Sequence, residues 1–342
     1  MEKIRLGRTG LLVSRSGFGC IPIQRIGTAE AGALLRKAFD NGINFFDTAR
    51  RYSNSEEKIG LALGGVRAEI VLATKTRGAS RSEVLTDLEQ SLRNLRTDYV
   101  DILQIHNPKV LLDADDPEGA YQGLVEARQK GMTRFIGMTN HRLDIALKAA
   151  ASGDYDTIQF PLCMISSERD LEIVDACRQN NIGLIAMKAL SGGLITNAAA
   201  AFAFLRQYDS LVPIWGIQQE KELDEFIALE AHPPTLDEAM LRVIEKDRVE
   251  LAGDFCRGCG YCLPCPAGIP IQQAARLSLL LRRTVPDRYL TDSWRKEMAR
   301  IKDCQGCGHC SEMCPYGLDT PALLKRQLAE YEAFMDGARG TS

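Results

Sequence analysis

Two cysteine runs carry the most specific chemistry in the sequence. They read CRGCGYCLPCP (Cys256, Cys259, Cys262, Cys265) and CQGCGHCSEMCP (Cys304, Cys307, Cys310, Cys314). The second has the C-x2-C-x2-C-x3-C-P spacing, which lets three thiolates wrap the corners of an iron–sulfur cubane before a proline turns the chain away. The first is one residue shorter before its last cysteine. In two-cluster domains the fourth cysteine of each run serves the other cluster. The expectation is therefore two 4Fe-4S clusters, one on Cys256, Cys259, Cys262 and Cys314, the other on Cys304, Cys307, Cys310 and Cys265. Structural zinc competes, because paired C-x2-C groups suffice for it and His309 could add a ligand. Zinc does not explain three evenly spaced cysteines plus Cys-Pro in both runs. The remaining three of eleven cysteines, Cys20, Cys163 and Cys177, are isolated in apolar context and read as core thiols.

A second set of polar residues closes short apolar runs far upstream. Asp47 ends INFFD, Tyr52 follows in the next loop, Lys75 ends EIVLATK and His106 ends DILQIH. Singly, each has an ordinary reading as a helix cap, a solvated cation or a hydrogen-bonded core histidine. Together they form a chemical unit. A tyrosine with a pKa of about 10 is a poor acid near neutrality, and a neighbouring ammonium favours its phenolate. A carboxylate can hold that ammonium, and an imidazole can orient a carbonyl that the phenol protonates.

These residues need a scaffold that brings strand ends together. From about residue 14 to 228, eight short runs rich in Ile, Val and Phe alternate with segments of helical period, such as SEVLTDLEQSLRNL with Leu85, Leu88, Leu92 and Leu95 on one face. Eight βα units suffice to close a parallel barrel. The doubly wound alternative requires G-x-G-x-x-G after its first strand, and GFGCIPIQRIG lacks that spacing. The fold expected is α/β: a (β/α)8 TIM barrel over 1–230, preceded by a small hairpin turning at Arg8-Thr9-Gly10, then a mainly α-helical ferredoxin-like iron–sulfur domain over 231–342. HPPTLDEAM reads as the connection. Helices are expected near 236–251, 270–283, 292–301 and 320–335, the last presenting Leu324, Leu328, Tyr331 and Met335 on one face.

The upstream region resembles the aldo/keto reductase family. The resemblance rests on LGRTGLLVSRSGFG, FDTARRYSNSEEKIG, the lysine of VLATK, the histidine of LQIH, and GMTN followed by IQFPL, and it runs over residues 3–228. It implies that Tyr52 is the general acid/base, that Lys75 paired with Asp47 depresses its pKa, and that His106 orients a carbonyl substrate. It places nicotinamide contacts on Thr139, Asn140 and Gln159. Where the family commonly stacks an aromatic ring on the nicotinamide, this chain has Met187, whose thioether covers a ring face less directively. Lys188 beside it either meets a phosphate or points to solvent. After the eighth strand, WGIQQEKELDEF offers Gly216, Gln218 and Glu222 to the nucleotide. In NADPH-preferring members this segment supplies basic residues and a serine to the 2′-phosphate. A carboxylate repels that phosphate but can accept a hydrogen bond from a ribose hydroxyl. NAD(P) is the expected cofactor, with NADH favoured over NADPH.

Composition limits the rest. Forty-five per cent hydrophobic and 25% charged residues describe an ordinary globular chain, and a net charge of −3 argues against nucleic acid as a partner. No apolar run is long enough to span a membrane, and MEKIRLGRTG lacks an apolar signal core, so a cytoplasmic protein with no membrane partner is expected. The segment from Arg276 to Lys302 holds eight basic residues against three acidic ones. It either neutralises anionic clusters or docks an acidic electron carrier such as a ferredoxin or flavodoxin-like protein. The leading functional reading is an oxidoreductase that interconverts a small carbonyl compound and an alcohol with NAD(P), fused to a 4Fe-4S electron-transfer domain. The alternatives are a ferredoxin-linked reductase whose clusters feed the barrel site through a non-nicotinamide cofactor or substrate, and a non-catalytic electron-transfer module.

Overall fold

The computed structural model describes residues 1–284 and 286–339. Strands β1 (Lys3–Arg5) and β2 (Leu12–Ser14) pair antiparallel across a short turn that ends at Gly10 with φ 68°. This is the hairpin read from the sequence.

Eight parallel strands follow: β3 (Gly17–Gly19), β4 (Phe45–Asp47), β5 (Val71–Thr76), β6 (Val100–His106), β7 (Thr133–Thr139), β8 (Thr157–Pro161), β9 (Gly183–Met187) and β10 (Leu211–Gly216). Each hydrogen-bonds its sequence neighbour and β10 closes on β3, so the sheet is a closed barrel. The crossover helices are α1 (Thr28–Asp40), α2 (Ser55–Leu63), α3 (Arg81–Leu95), α4 (Ala120–Gln129), α5 (Leu143–Ser152), α6 (Glu168–Gln179), α7 (Ala198–Arg206) and α8 (Glu220–Ala231).

Phe45, Val71, Ala73, Ile102, Ile185, Val212 and Ile214 of the strands pack with Leu6, Leu11 and Val13 of the hairpin segment in one buried cluster. At about 1.5–3 kcal/mol per fully buried large aliphatic or aromatic side chain, that cluster anchors the barrel interior. On α3 the buried stripe is Val84, Leu88, Ser91, Leu92 and Leu95. Val84 joins this stripe and Leu85 is half-buried at its edge, while Ser80 caps the helix by accepting the Glu83 N–H.

The chain divides into two compact units. One comprises Met1–Ala189 and Ala198–Ile244; the other comprises Leu190–Asn197 and the residues from Glu245 onward. The division falls within α9 (Glu238–Glu250). The second unit contains α10 (Ile271–Ala274), α11 (Leu277–Arg283), α12 (Asp292–Ala299), α13 (His309–Glu312) and α14 (Thr320–Arg339). The helix expected over 270–283 is broken at Ala275–Arg276. The cause is tertiary: the Ser278 N–H donates to Gln327 Oε1 of α14 at 2.9 Å, and Arg276 leaves the helical path while its Nη1 donates to Gly192 O at 3.1 Å. On α14, Leu324, Leu328 and Tyr331 are buried, and Tyr331 OH donates to Tyr289 O.

Candidate functional site

Strand register gathers the polar residues at the C-terminal rim of the barrel, where such folds build their sites. Lys75 lies opposite Gln104, His106 opposite Thr139, and Thr139 opposite Gln159. Lys75 Nζ donates to Asp47 Oδ2 at 2.6 Å and to the Thr48 carbonyl at 2.6 Å. Asp47 also accepts from Gln104 Nε2 and Gln159 Nε2, each at 3.3 Å. Asp47, Lys75 and His106 are buried, whereas Tyr52 is half-buried in the loop after β4. The Tyr52 ring centroid lies 5.4 Å from Lys75 Nζ and 5.9 Å from the His106 ring, edge to face. The four residues read from the sequence thus converge on one spot.

Burial sets the electrostatics. It pushes the Lys75 ammonium below its usual range against the opposing pull of Asp47, and pushes the Asp47 carboxyl upward against Lys75 and the two glutamines. Such a pair is stable only while each partner and its extra hydrogen bonds are present. Burial, then the charge of Lys75, holds His106 well below the ordinary histidine range, so its imidazole is neutral at neutral pH. Cys20 is buried beside the pair, where burial and then Asp47 keep its thiol protonated.

The residues assigned to the nicotinamide are in less uniform states. Gln159 Oε1 is buried without a hydrogen-bond partner, an acceptor suited to a carboxamide N–H. Asn140 is already engaged, its Nδ2 donating to Pro108 O and its Oδ1 accepting from Arg142 N. Thr139 Oγ1 donates to Met187 Sδ at 3.8 Å, which fixes the thioether at the end of β9. Lys188 follows with φ 61°. Gly216 is exposed at the end of β10 and Gln218 is half-buried. Glu222 caps its own helix: Oε2 accepts from the Gln218 and Gln219 N–H groups at 2.8 and 2.9 Å. The Gln218 and Gln219 amides, just ahead of α8, are therefore occupied by a carboxylate.

In the second unit the eight clustered cysteines line two cavities. One is lined by Cys256, Cys259, Cys262 and Cys314 together with Cys310. The other is lined by Cys265, Cys304, Cys307 and Cys310 together with Cys262. Each cavity thus takes its cysteines from both runs. Thiolates gathered in this number and from both runs are the ligands that iron–sulfur groups take. The donor set fits an iron–sulfur group.

Most basic side chains between the runs are internally engaged. Arg282 pairs with Glu330, Arg283 with Asp247 and Glu250, Arg295 with Asp292, Arg300 with Glu297, and Lys302 with Glu332.

Sequence reasoning missed Gln104, although its place two residues before His106 on a strand puts both on one face. It also missed Thr48, whose contribution is a backbone carbonyl and has no sequence signal.

Comparison with known proteins agrees with this geometry. Residues 17–203 match the model of the aldo/keto reductase family, and residues 255–319 match that of the 4Fe-4S dicluster domain. The chain is 31% identical over 215 residues to the aldo-keto reductase YhdN of Bacillus subtilis (strain 168), covering 57% of this chain and 64% of that one. It is 34% identical over 217 residues to the L-galactose dehydrogenase of Arabidopsis thaliana, covering 57% and 67%. The match thus spans about two thirds of these relatives' length. Among solved structures, the aldo-keto reductase AKR11C1 from Bacillus halodurans in its holo form superposes with a TM-score of 0.62, covering 72% of this chain and 96% of that one at 22% identity, a likeness of fold. The chain belongs to the aldo/keto reductase family and carries a 4Fe-4S dicluster domain after its barrel.

Proposed function

We propose that the barrel interconverts a small carbonyl compound and the corresponding alcohol, with Tyr52 as general acid/base. The observation that carries this reading is the buried Asp47–Lys75 pair beneath Tyr52, with His106 edge-on to the same ring. Bound NAD(P) supplies or accepts the hydride. The chain's own residues manage the proton and the geometry. Lys75, held by Asp47 and by the Thr48 carbonyl, presents positive charge beside the Tyr52 ring and favours its phenolate, so the hydroxyl donates and recovers a proton near neutrality. Neutral His106 orients the carbonyl oxygen by hydrogen bonding without adding a full charge. Gln159, whose Oε1 is buried and open, would hold the nicotinamide carboxamide together with Thr139 and Asn140, and Met187 would lie against the ring.

The same reading favours NADH. Glu222 holds the Gln218 and Gln219 amides just ahead of α8, and its charge would repel a 2′-phosphate there. Gly216, Gln218 and Lys188 complete the nucleotide contacts. The clusters are held by Cys256, Cys259, Cys262 and Cys314, and by Cys304, Cys307, Cys310 and Cys265, and exchange single electrons with a partner carrier.

The test is turnover of Tyr52→Phe and nucleotide binding by the same variant, both on anaerobically isolated protein. The reading requires loss of kcat with NADH binding retained. Turnover that appears only with reduced ferredoxin or viologen, and never with NADH or NADPH, sinks it.

A further inference from the structure

We propose that the second cysteine run, Cys304–Cys310, is the port through which single electrons enter and leave, and that the first run, Cys256–Cys262, is the covered station behind it. This rests on the cluster assignment above. The two runs are near repeats, CRGCGYC and CQGCGHC, so Gly258 corresponds to Gly306, Gly260 to Gly308, Arg257 to Gln305 and Tyr261 to His309. All four glycines have φ between 64° and 75°, so the backbones match. What differs is the cover.

A side chain at Gly258 would start 3.0 Å from the Arg276 guanidinium carbon, and one at Gly260 would start 2.8 Å from Gln272 Oε1. At Gly306 and Gly308 nothing lies within 4 Å. Tyr261 is buried and Arg257 lies 3.8 Å over the Phe255 ring, whereas Gln305 and His309 are exposed. Cys307 is the exposed member of the eight clustered cysteines, and the rest are partly buried. The bare edge Gln305–His309 carries no acidic, lysine or arginine side chain, so docking there depends on close approach more than on charge and is weakly salt-dependent. In the step, one electron leaves the reduced carrier and enters the cluster on this run. No bond or proton is transferred, and discharge is the reverse.

The full chain is isolated anaerobically, reduced with dithionite and followed by electron paramagnetic resonance with a dysprosium chelate in the solvent. Cys304→Ser assigns the signals by shifting one of them. The expected result is faster relaxation of the Cys304-run signal than of the other. Reduction by reduced methyl viologen is expected in two phases. Gln305→Trp slows the fast phase several-fold, and Arg276→Ala quickens the slow one. Equal relaxation of both signals, or wild-type phases in Gln305→Trp, overturns the port while leaving the clusters in place. A chain without iron–sulfur signals overturns both readings.

Discussion

At the scale of single residues, the site depends on how many donors Asp47 accepts. Lys75, Gln104 and Gln159 all reach it in a buried setting, and each keeps the carboxylate charged against burial. Gln104 acts through Asp47, to which its Nε2 donates, so it is a positioning residue. Replacing it as Gln104→Leu should lower kcat with little change in NADH affinity and shift the basic limb of the pH–rate profile, because Lys75 is then less firmly held. Gln104→Glu should not rescue, since it places a second carboxylate against the first. Steady-state kinetics across pH on both variants checks this. His106 gives a second prediction. Its imidazole is neutral because burial and Lys75 hold its pKa well below the ordinary value, so kcat/KM should show no inflection near the usual histidine pKa of about 6.5.

At the scale of elements, the proposed nucleotide preference and the capping of α8 rest on the same side chain, Glu222. Gln219 and Glu222 form a reciprocal capping box. Glu222→Arg should raise the kcat/KM ratio of NADPH to NADH and cost about 0.5–2 kcal/mol, the usual worth of a cap. Paired kinetics and thermal unfolding separate the two effects. In the second unit, Arg283 pairs with Asp247 and Glu250 and donates from Nε to the Leu194 carbonyl at 2.6 Å. Arg283→Leu leaves the buried Asp247 uncompensated and should destabilise this unit by about 3–5 kcal/mol, read as a lowered unfolding midpoint of the anaerobic protein.

At the scale of the whole molecule, the chain joins an aldo/keto reductase barrel to a 4Fe-4S dicluster domain. Two clusters predict about eight irons and eight sulfides per chain. Stripping iron with a chelator removes the stabilisation that metal binding contributes to the second unit. Differential scanning calorimetry should then show loss of one transition, with NADH binding by the barrel retained. A single transition abolished in full would contradict independent stability of the two units.

The sequence by itself determined the barrel, the strand ends bearing Asp47, Lys75 and His106, and the two cysteine runs, because period, strand-end position and ligand spacing are properties of the chain read locally. Only the tertiary structure decided that Gln104 and Thr48 complete the lysine's surroundings, and that the helix over 270–283 breaks where Gln327 takes the Ser278 amide. It alone separated two nearly identical cysteine runs into a covered one and a bare one. Those outcomes depend on partners distant in sequence, and no local pattern encodes which side chain will occupy a given amide, carbonyl or glycine face.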